Sequence, residues 1–239
     1  EFRYLQKYRI ANKSAAFLTG VRMYNGNLNR KSAIGSNGSD ADFDEVKLGS
    51  EVETILYEHV AEFDYEFPSQ NLSWFTENMF PLGDRIRVTP GVRVEWIHTE
   101  AKGQYRVIET SNNGSISKDT MHSETKENDR PVVLAGLGSS VLLGLGEIYA
   151  NVSQNYRGIN FNDMRSSSKN LVVDPNLKDE EGFNVDLGYR GSYSNLSRFD
   201  LGLFWLEYKD RIGQKWENEP SLGILRRYRT NISDSRHLG

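Results

Sequence analysis

The sequence predicts an all-β protein, an antiparallel up-and-down transmembrane β-barrel, and three observations lead there. The first is Phe183 to Tyr193, eleven residues that alternate without a slip. Phe183, Val185, Leu187, Tyr189 and Tyr193 are apolar or aromatic, while Asn184, Asp186, Gly188, Arg190 and Ser192 are polar or small. Side chains on a strand point to opposite faces in turn, so this segment has one apolar face and one wet face. A tilted strand needs roughly 9–11 residues to span a bilayer, whereas strands of soluble sandwiches are usually shorter. The second observation is the rhythm of the connections, short and long in turn, as in a barrel with tight turns on one side of a membrane and long loops on the other. The third is that no stretch keeps a 3.6-residue apolar period and no fixed-length repeat occurs. A soluble two-sheet sandwich gives similar alternation and is the rival from another class.

Taken in order, Phe2 to Arg9 and Ala15 to Tyr24 read as strands joined by Ala11-Asn12-Lys13-Ser14, and Asn25 to Ser50 as a long polar loop. Alternation returns with Tyr57, His59, Ala61, Phe63, Tyr65 and Phe67 on one face and Glu58, Val60, Glu62, Asp64 and Glu66 on the other. The carboxylates of that second face belong toward lumen or solvent, because facing lipid is expensive. Leu72 to Phe80 runs on to a tight turn at Pro81-Leu82-Gly83-Asp84. Arg85 to His98 sets Val88, Val92, Val94 and Trp96 against Thr89, Arg93 and Glu95. Pro90 inside it suits an edge or a bulge better than a central strand.

Glu100 to Arg130 reads as a second long polar loop. Val132 to Leu143 and Glu147 to Tyr156 flank the turn Gly144-Leu145-Gly146, and Gly158 to Glu181 is a third long loop. Phe183 to Tyr193 and Phe199 to Ile212 follow, joined by Ser194 to Arg198, with a last strand near Leu225 to Ile232. That makes about nine strands. Strand parity then puts the three long loops at one end, opposite the turns at Asn12, Gly83, Leu145 and Asn195. Val185, Leu187 and Tyr189 are expected on the convex outer face, and Asp186 and Arg190 on the concave one.

Composition narrows the function classes. Only 37% of the 239 residues are hydrophobic, which suits apolar surface spread thinly over strand faces. A formal net charge of −4 offers no basic field for nucleic acid. The lack of Cys removes a disulfide framework and thiol catalysis. Pro131 to Gly146, the longest uncharged stretch, is too short and too rich in Gly and Ser for a spanning helix. No signal peptide opens the chain, which starts without Met, so the sequence reads as a mature product or a fragment.

The short motifs lead away from catalysis and resident metal. Asp40, Asp42, Asp44 and Glu51 imitate the oxygen positions of an EF-hand, but Glu45 stands where the turn needs Gly and no flanking helix is evident. A solvated acidic loop explains them better, and a surface Ca²⁺ site of other geometry stays open. Gly136-Leu-Gly138 after Val132-Val-Leu-Ala135 is not a dinucleotide loop: Val141 replaces the third Gly or Ala, and no helix follows. His59, His98, His122 and His237 are scattered without ligand spacing, and no GxSxG elbow occurs. The seven Asn-X-Ser/Thr sequons, Asn151 in mid-strand among them, follow from a chain rich in Asn and Ser. The reading therefore includes no catalytic residue, no metal ligand and no cofactor.

Several blocks, in this order and spacing, resemble the TonB-dependent outer-membrane receptors. Phe75-Thr-Glu-Asn-Met-Phe followed by Arg85-Ile-Arg-Val-Thr-Pro-Gly-Val-Arg-Val-Glu95 resembles that family's barrel hairpin with its TPGxRxE signature. Glu147-Ile-Tyr-Ala-Asn-Val-Ser-Gln-Asn-Tyr-Arg157, then Ile159-Asn-Phe161, resembles the lYANxSxxYRxxxF strand. Asp174-Pro-Asn-Leu-Lys-Asp-Glu180 before Val185-Asp-Leu-Gly-Tyr-Arg190 resembles NPxLKxE…ELGxR, and Arg229-Thr-Asn231 the approach to a short turn. The first third, with Gly20-Val-Arg-Met-Tyr24, is most similar to receptors of the ferric-dicitrate type.

The resemblance covers nearly the whole chain and implies a non-enzymatic receptor in the outer membrane of a Gram-negative bacterium, surrounded by outer-membrane lipid. It implies import of an iron chelate, ferric citrate or a siderophore, with the TonB energy-transducing complex acting through a plug domain. The same architecture importing vitamin B12, a carbohydrate or another nutrient is the alternative. No plug or TonB box resembles any part of these residues, and the chain stops at His237-Leu238-Gly239 rather than at an aromatic. Residues 1–239 are thus expected to be an interior part of a barrel of about 22 strands. Arg157, Asn160, Arg165 and Lys169 gather where the third long loop begins. Arg157 and Arg165 are the candidate ligand-binding residues, since guanidinium groups can grip carboxylate oxygens bidentately.

Overall fold

The computed structural model describes residues 1–32, 63–111, 116–164, 171–193, 197–219 and 223–239. In chain order they form β1 (Phe2–Ile10), β2 (Lys13–Ser32), β3 (Phe63–Leu82), β4 (Ile86–Thr110), β5 (Ile116–Leu143), β6 (Gly146–Arg157), α1 (Phe161–Met164), β7 (Leu171–Val173), β8 (Glu180–Tyr193), β9 (Ser197–Glu219) and β10 (Ile224–Leu238). Nine of these strands make one antiparallel meander in the order β1-β2-β3-β4-β5-β6-β8-β9-β10. The three-residue β7 is the exception, lying parallel to Arg227–Arg229 of β10. A single sheet in sequence order overturns the soluble sandwich.

The turn end is set by local chemistry. Ala11 and Asn12 both take positive φ (49° and 65°), the two-residue geometry whose twist matches an antiparallel hairpin. Gly83 (φ 80°) and Gly144 (φ 41°) fill the left-handed positions of the next two turns. The register carries a row from Leu82 through Ile86, Val141, Ile148 and Tyr189 to Leu201, passing close to those turns and to the ends of β8 and β9 that face each other across their connection. The β2–β3, β4–β5 and β6–β8 connections consequently leave from the opposite, loop end, as parity requires.

One face of the sheet is an apolar band. Val185 pairs with Val152 and Trp205, and Leu187 with Ala150 and Leu203, so the outward side chains of neighbouring strands lie side by side. Leu187 is about half exposed, and Leu201, Leu203 and Val133 more than half, although all are aliphatic. The band also climbs across the sheet. It ends at Trp205 on β9, in register through Val185, Val152 and Leu137 with Pro90. On β4 it runs on past Pro90 to Val92, Val94 and Trp96. Such a drift against the hydrogen-bonded rows is what strands tilted to the bilayer produce.

The other face is concave, and Asn162 of α1 demonstrates it. Arg30 of β2 donates to its Oδ1 at 3.0 Å, while Arg229 of β10 donates to its carbonyl. Two strands separated by six others in the sheet reach one residue only if the sheet curls around it. The face that curls inward carries Ser73, Glu95, Asp186 and Arg190, as expected for the last two.

Four expectations need correction. Glu100 to Arg130 is mostly strand: β4 and β5 stay paired from Ile86↔Val141 up to Thr110↔Ile116. Its polar sequence hid this, because both faces carry charge there and no apolar rhythm marks the pairing. For the same reason β2 extends to Ser32 inside the segment read as a loop, while Gly158 to Glu181 contains α1 and β7, both too short to show a period. Pro90 lies in a strand with neighbours on both sides, not at an edge. The β3–β4 ladder tolerates it by lapsing between Glu77↔Gly91 and Phe80↔Val88, and lapses again at Pro68 between Glu66↔Lys102 and Ser69↔Thr99, with the register unchanged. Tyr57, His59, Asp40, Asp42, Asp44 and Glu51 lie outside the described residues.

Candidate functional site at the loop end

The β6–β8 connection turns into the concave side and is fastened there. Asn160 opens α1 as its cap, its Oδ1 accepting from the backbone N–H groups of Asn162 (2.9 Å) and Asp163 (3.2 Å). Phe161 then packs on Phe67 with ring centroids 4.9 Å apart, and Phe67 stacks on Tyr65 at 5.7 Å. Tyr65, Phe67, Ala101, Ile159 and Met164 form a buried apolar cluster. The Tyr65 hydroxyl donates to Glu124 Oε1 at 2.6 Å, and Lys126 Nζ donates to the Met164 carbonyl at 2.8 Å.

Around this cluster the charges come in matched sets. Arg157 donates through Nη1 to Glu180 Oε1 (2.8 Å) and through Nη2 to Asp163 Oδ2 (2.9 Å). Glu180, only 2% exposed, also lies 3.2 Å from Arg211 Nε and accepts from the Ile212 backbone N–H at 3.0 Å. Arg130 donates from Nη2 to the Ile159 carbonyl at 2.8 Å and pairs with Asp179 at 3.3 Å. Asp179 in turn accepts from the Ile159 N–H at 2.7 Å. Both main-chain polar groups of Ile159 are thus satisfied by one ion pair, which is what lets that residue be buried.

A second fastening joins β7 to β10. Asp174 Oδ2 accepts from the Thr230 hydroxyl at 2.6 Å, Oδ1 accepts from the Asn176 N–H at 2.8 Å, and the Asp174 N–H donates to the Arg229 carbonyl at 2.9 Å. The Thr230 hydroxyl, then the Asn176 amide, hold the Asp174 carboxyl below its ordinary value. Burial raises the Tyr105 phenol, with the nearby Glu124 charge adding to it.

Sequence reasoning singled out Arg157 but not its partners. Its guanidinium is shared between Asp163 and Glu180, and Arg165 lies outside the described residues. Arg30 was missed. It has no carboxylate partner among the described residues, donates to Asn162 and lies 5.6 Å from the Phe63 ring centroid. No periodic signal points to it, since Asn162 is 132 positions away. Among the described residues no group of His, Cys, Asp and Glu is arranged to hold a metal ion.

The comparisons agree with this architecture. Residues 2–239 match the family described as TonB dependent receptor-like, beta-barrel. Among solved structures, the copper transporter OprC matches with a TM-score of 0.61 at 16% identity, over 99% of this chain and 33% of its own. A double mutant of the Serratia marcescens hemophore receptor HasR, in complex with its hemophore HasA and heme, matches with a TM-score of 0.53 at 14% identity, over 94% and 39%. The chain therefore spans about a third of the length of these structures, and at such identities the likeness concerns the fold. A comparison with curated proteins gave no match. With a family match over almost every residue, and a tilted, outward-apolar meander beside it, the chain belongs to the TonB-dependent receptor β-barrel family.

Proposed function

We propose that this chain is a wall segment of an outer-membrane transporter that imports an anionic iron chelate, bound at the loop end on the concave side. The observation that carries the reading is the division of the sheet into an outward apolar band and an inward polar face that closes around a folded connection. A lipid-embedded wall needs the first, and a ligand path needs the second. Energy delivery by TonB through a plug, and ferric citrate or a siderophore as cargo, belong to the same proposal. Uptake of vitamin B12, a carbohydrate or another nutrient by the same wall is the second reading.

Arg157 and Arg165 are proposed to meet the ligand, and Arg30 joins them. Arg157 already balances two carboxylates, so an anionic chelate would have to displace Asp163 from it. Arg30 has no such competitor among the described residues. The test is uptake of labelled ferric citrate by cells carrying the full-length receptor with Arg30→Ala, or with Arg157→Ala and Arg165→Ala together. Reduced uptake with normal barrel insertion is the expected result. Uptake unchanged in all variants would remove these residues from the site, and uptake of a neutral nutrient instead would remove the iron chelate.

A further inference from the structure

β5 and β6 are paired over only part of their length. Their ladder runs from Leu143↔Gly146 to Gly136↔Ser153 and stops, although β5 continues to Ile116. Where they part, the Ala135 N–H donates to the side-chain Oε1 of Gln154 at 2.8 Å instead of to a main-chain carbonyl. Alternate residues of a strand direct their main-chain groups to the same side. The β4–β5 register is unbroken from Ile86↔Val141 to Glu109↔Lys118, so Thr125, Glu127 and Asp129 turn theirs to the side that β6 has left. Among the described residues no hydrogen bond reaches those main-chain groups there.

The β6–β8 connection lies in the vacated room, but it docks on β5 through side chains. Lys126 Nζ donates to the Met164 carbonyl and Arg130 Nη2 to the Ile159 carbonyl, each at 2.8 Å. Between connection and strand edge remains a hollow of about 310 Å³, at the small end of ligand cavities. Its connection side is apolar, formed by Ile159, Met164, Val173, Pro175 and Leu177. Glu127 lines it although its side chain points outward, which places its main chain at the hollow.

The charged groups at the rim are already engaged. Lys126 serves Met164 and Glu124, and Asp174 serves Thr230 and Asn176. What stays open is uncharged: the N–H and carbonyl of Glu127, and the side-chain amide of Asn128, which has no partner among the described residues. Each sets a donor beside an acceptor, the complement of an amide. One residue of a peptide-like chain fits such a place, with its amide laid along the strand edge and its side chain in the hollow. A charged group there would find Lys126 and Asp174 taken.

We infer that the edge of β5 at Glu127 and Asn128, with the hollow beside it, is a subsite for a neutral, peptide-like arm of the cargo that carries an aliphatic side chain. This rests on the reading that the cargo is an iron chelate bound on the concave side at the loop end. The test is isothermal titration calorimetry of the full-length receptor in detergent with three ferric chelates that share one carboxylate-bearing hydroxamate head. One has a leucinamide arm, one an N-methyl-leucinamide arm and one no arm. The leucinamide arm should tighten binding by about tenfold, from burial of one aliphatic side chain. Methylating its nitrogen should take back about fivefold, because a donor is lost against the strand. Asn128→Leu, at a half-buried position, should weaken the leucinamide chelate by about the same factor and leave the armless one unchanged. Exchange at the Glu127 amide should slow when the leucinamide chelate binds. Equal affinity with and without the arm, indifference to the N-methyl group, or an Asn128→Leu effect on all three chelates alike would overturn the inference. So would a Glu127 amide already protected in the free receptor. A receptor that binds none of the chelates would instead refute the reading of iron-chelate import itself.

Discussion

Two parts of one sheet obey opposite rules. From the turns up to Trp96, the outward side chains of β3, β4 and β5 are mostly apolar, as in the row Trp74, Val94 and Val133, with Thr76, Asn78 and Ser139 the polar exceptions, while Ser73 and Glu95 face inward and are buried. Beyond Trp96 the outward positions are Asp64, Glu66, Lys102, Gln104, Ser123 and Thr125, and the inward ones include Tyr65, Phe67 and Ala101. A slip of one residue would exchange the faces. No slip occurs: Trp74↔Val94 and Asp64↔Gln104 share one register. The reversal lies in composition alone, and it teaches what each part touches. The lower part has lipid outside, whereas the upper part has water outside and a folded connection inside.

Single substitutions can break that contrast. Phe67→Ala should have the largest effect, about 3–5 kcal/mol for an aromatic removed from a packed cluster. Hydrogen exchange in the extracted receptor should rise over the upper parts of β3 and β4 and stay low in the band; a uniform rise would mean the parts are not distinct. Leu187→Arg places a charge on the outward band and should cost about 2–4 kcal/mol near the bilayer centre. Gln104→Arg, also outward but above the band, should change stability by less than about 0.5 kcal/mol. Equal effects in a refolding titration into lipid vesicles would erase the boundary at Trp96.

Glu180→Gln sharpens the upper half of the comparison. It removes the charge shared by Arg157 and Arg211, and should cost about 1–3 kcal/mol, since both guanidinium groups remain in reach of water. The loss should appear as faster proteolysis in the β6–β8 connection, with the band untouched. The smallest effect concerns pH. The Asp174 carboxyl is held below its ordinary value in the folded protein, so its contribution is present above the unfolded pKa and lost as pH falls through the folded one. The exchange protection of the Asn176 amide, relative to its intrinsic rate at each pH, should therefore fall on acidification below the usual carboxylate range, and Asp174→Asn should flatten that response.

The same contrast explains what could be read from sequence. Phe183 to Tyr193 declared itself because lipid on one side and water on the other force a two-residue rhythm. Between Glu100 and Arg130 the outward Lys102 and Glu127 alternate with the inward Glu124, Lys126 and Arg130, so polar follows polar and only pairing reveals the strands. The turn at Ala11-Asn12 was legible because its chemistry is local. Of the candidate site, Arg157 was singled out because it stands with Asn160, Arg165 and Lys169 where the third long loop begins. Asp163, Glu180 and Arg211 were not singled out, because only the folding back of the connection brings them to it. Arg30 and Arg229 meet at Asn162 through the curvature of the whole sheet, which no local window contains.

On the concave face of the band, the Tyr149 ring lies across Gly188, in the position a Cβ there would occupy, and its hydroxyl sits 3.4 Å from where Gly202 would carry one. Arg190 covers the ring at 5.2 Å, and the hydroxyl donates to Asp200 at 2.8 Å. These positions come from three strands, yet their contacts tie them to one another. A side chain at Gly188 requires a smaller residue at Tyr149, and that change deprives Asp200 of its donor and Arg190 of its platform. In a lineage of related barrels, the four should drift together or not at all, and an isolated replacement of Gly188 should persist only where Tyr149 has already gone.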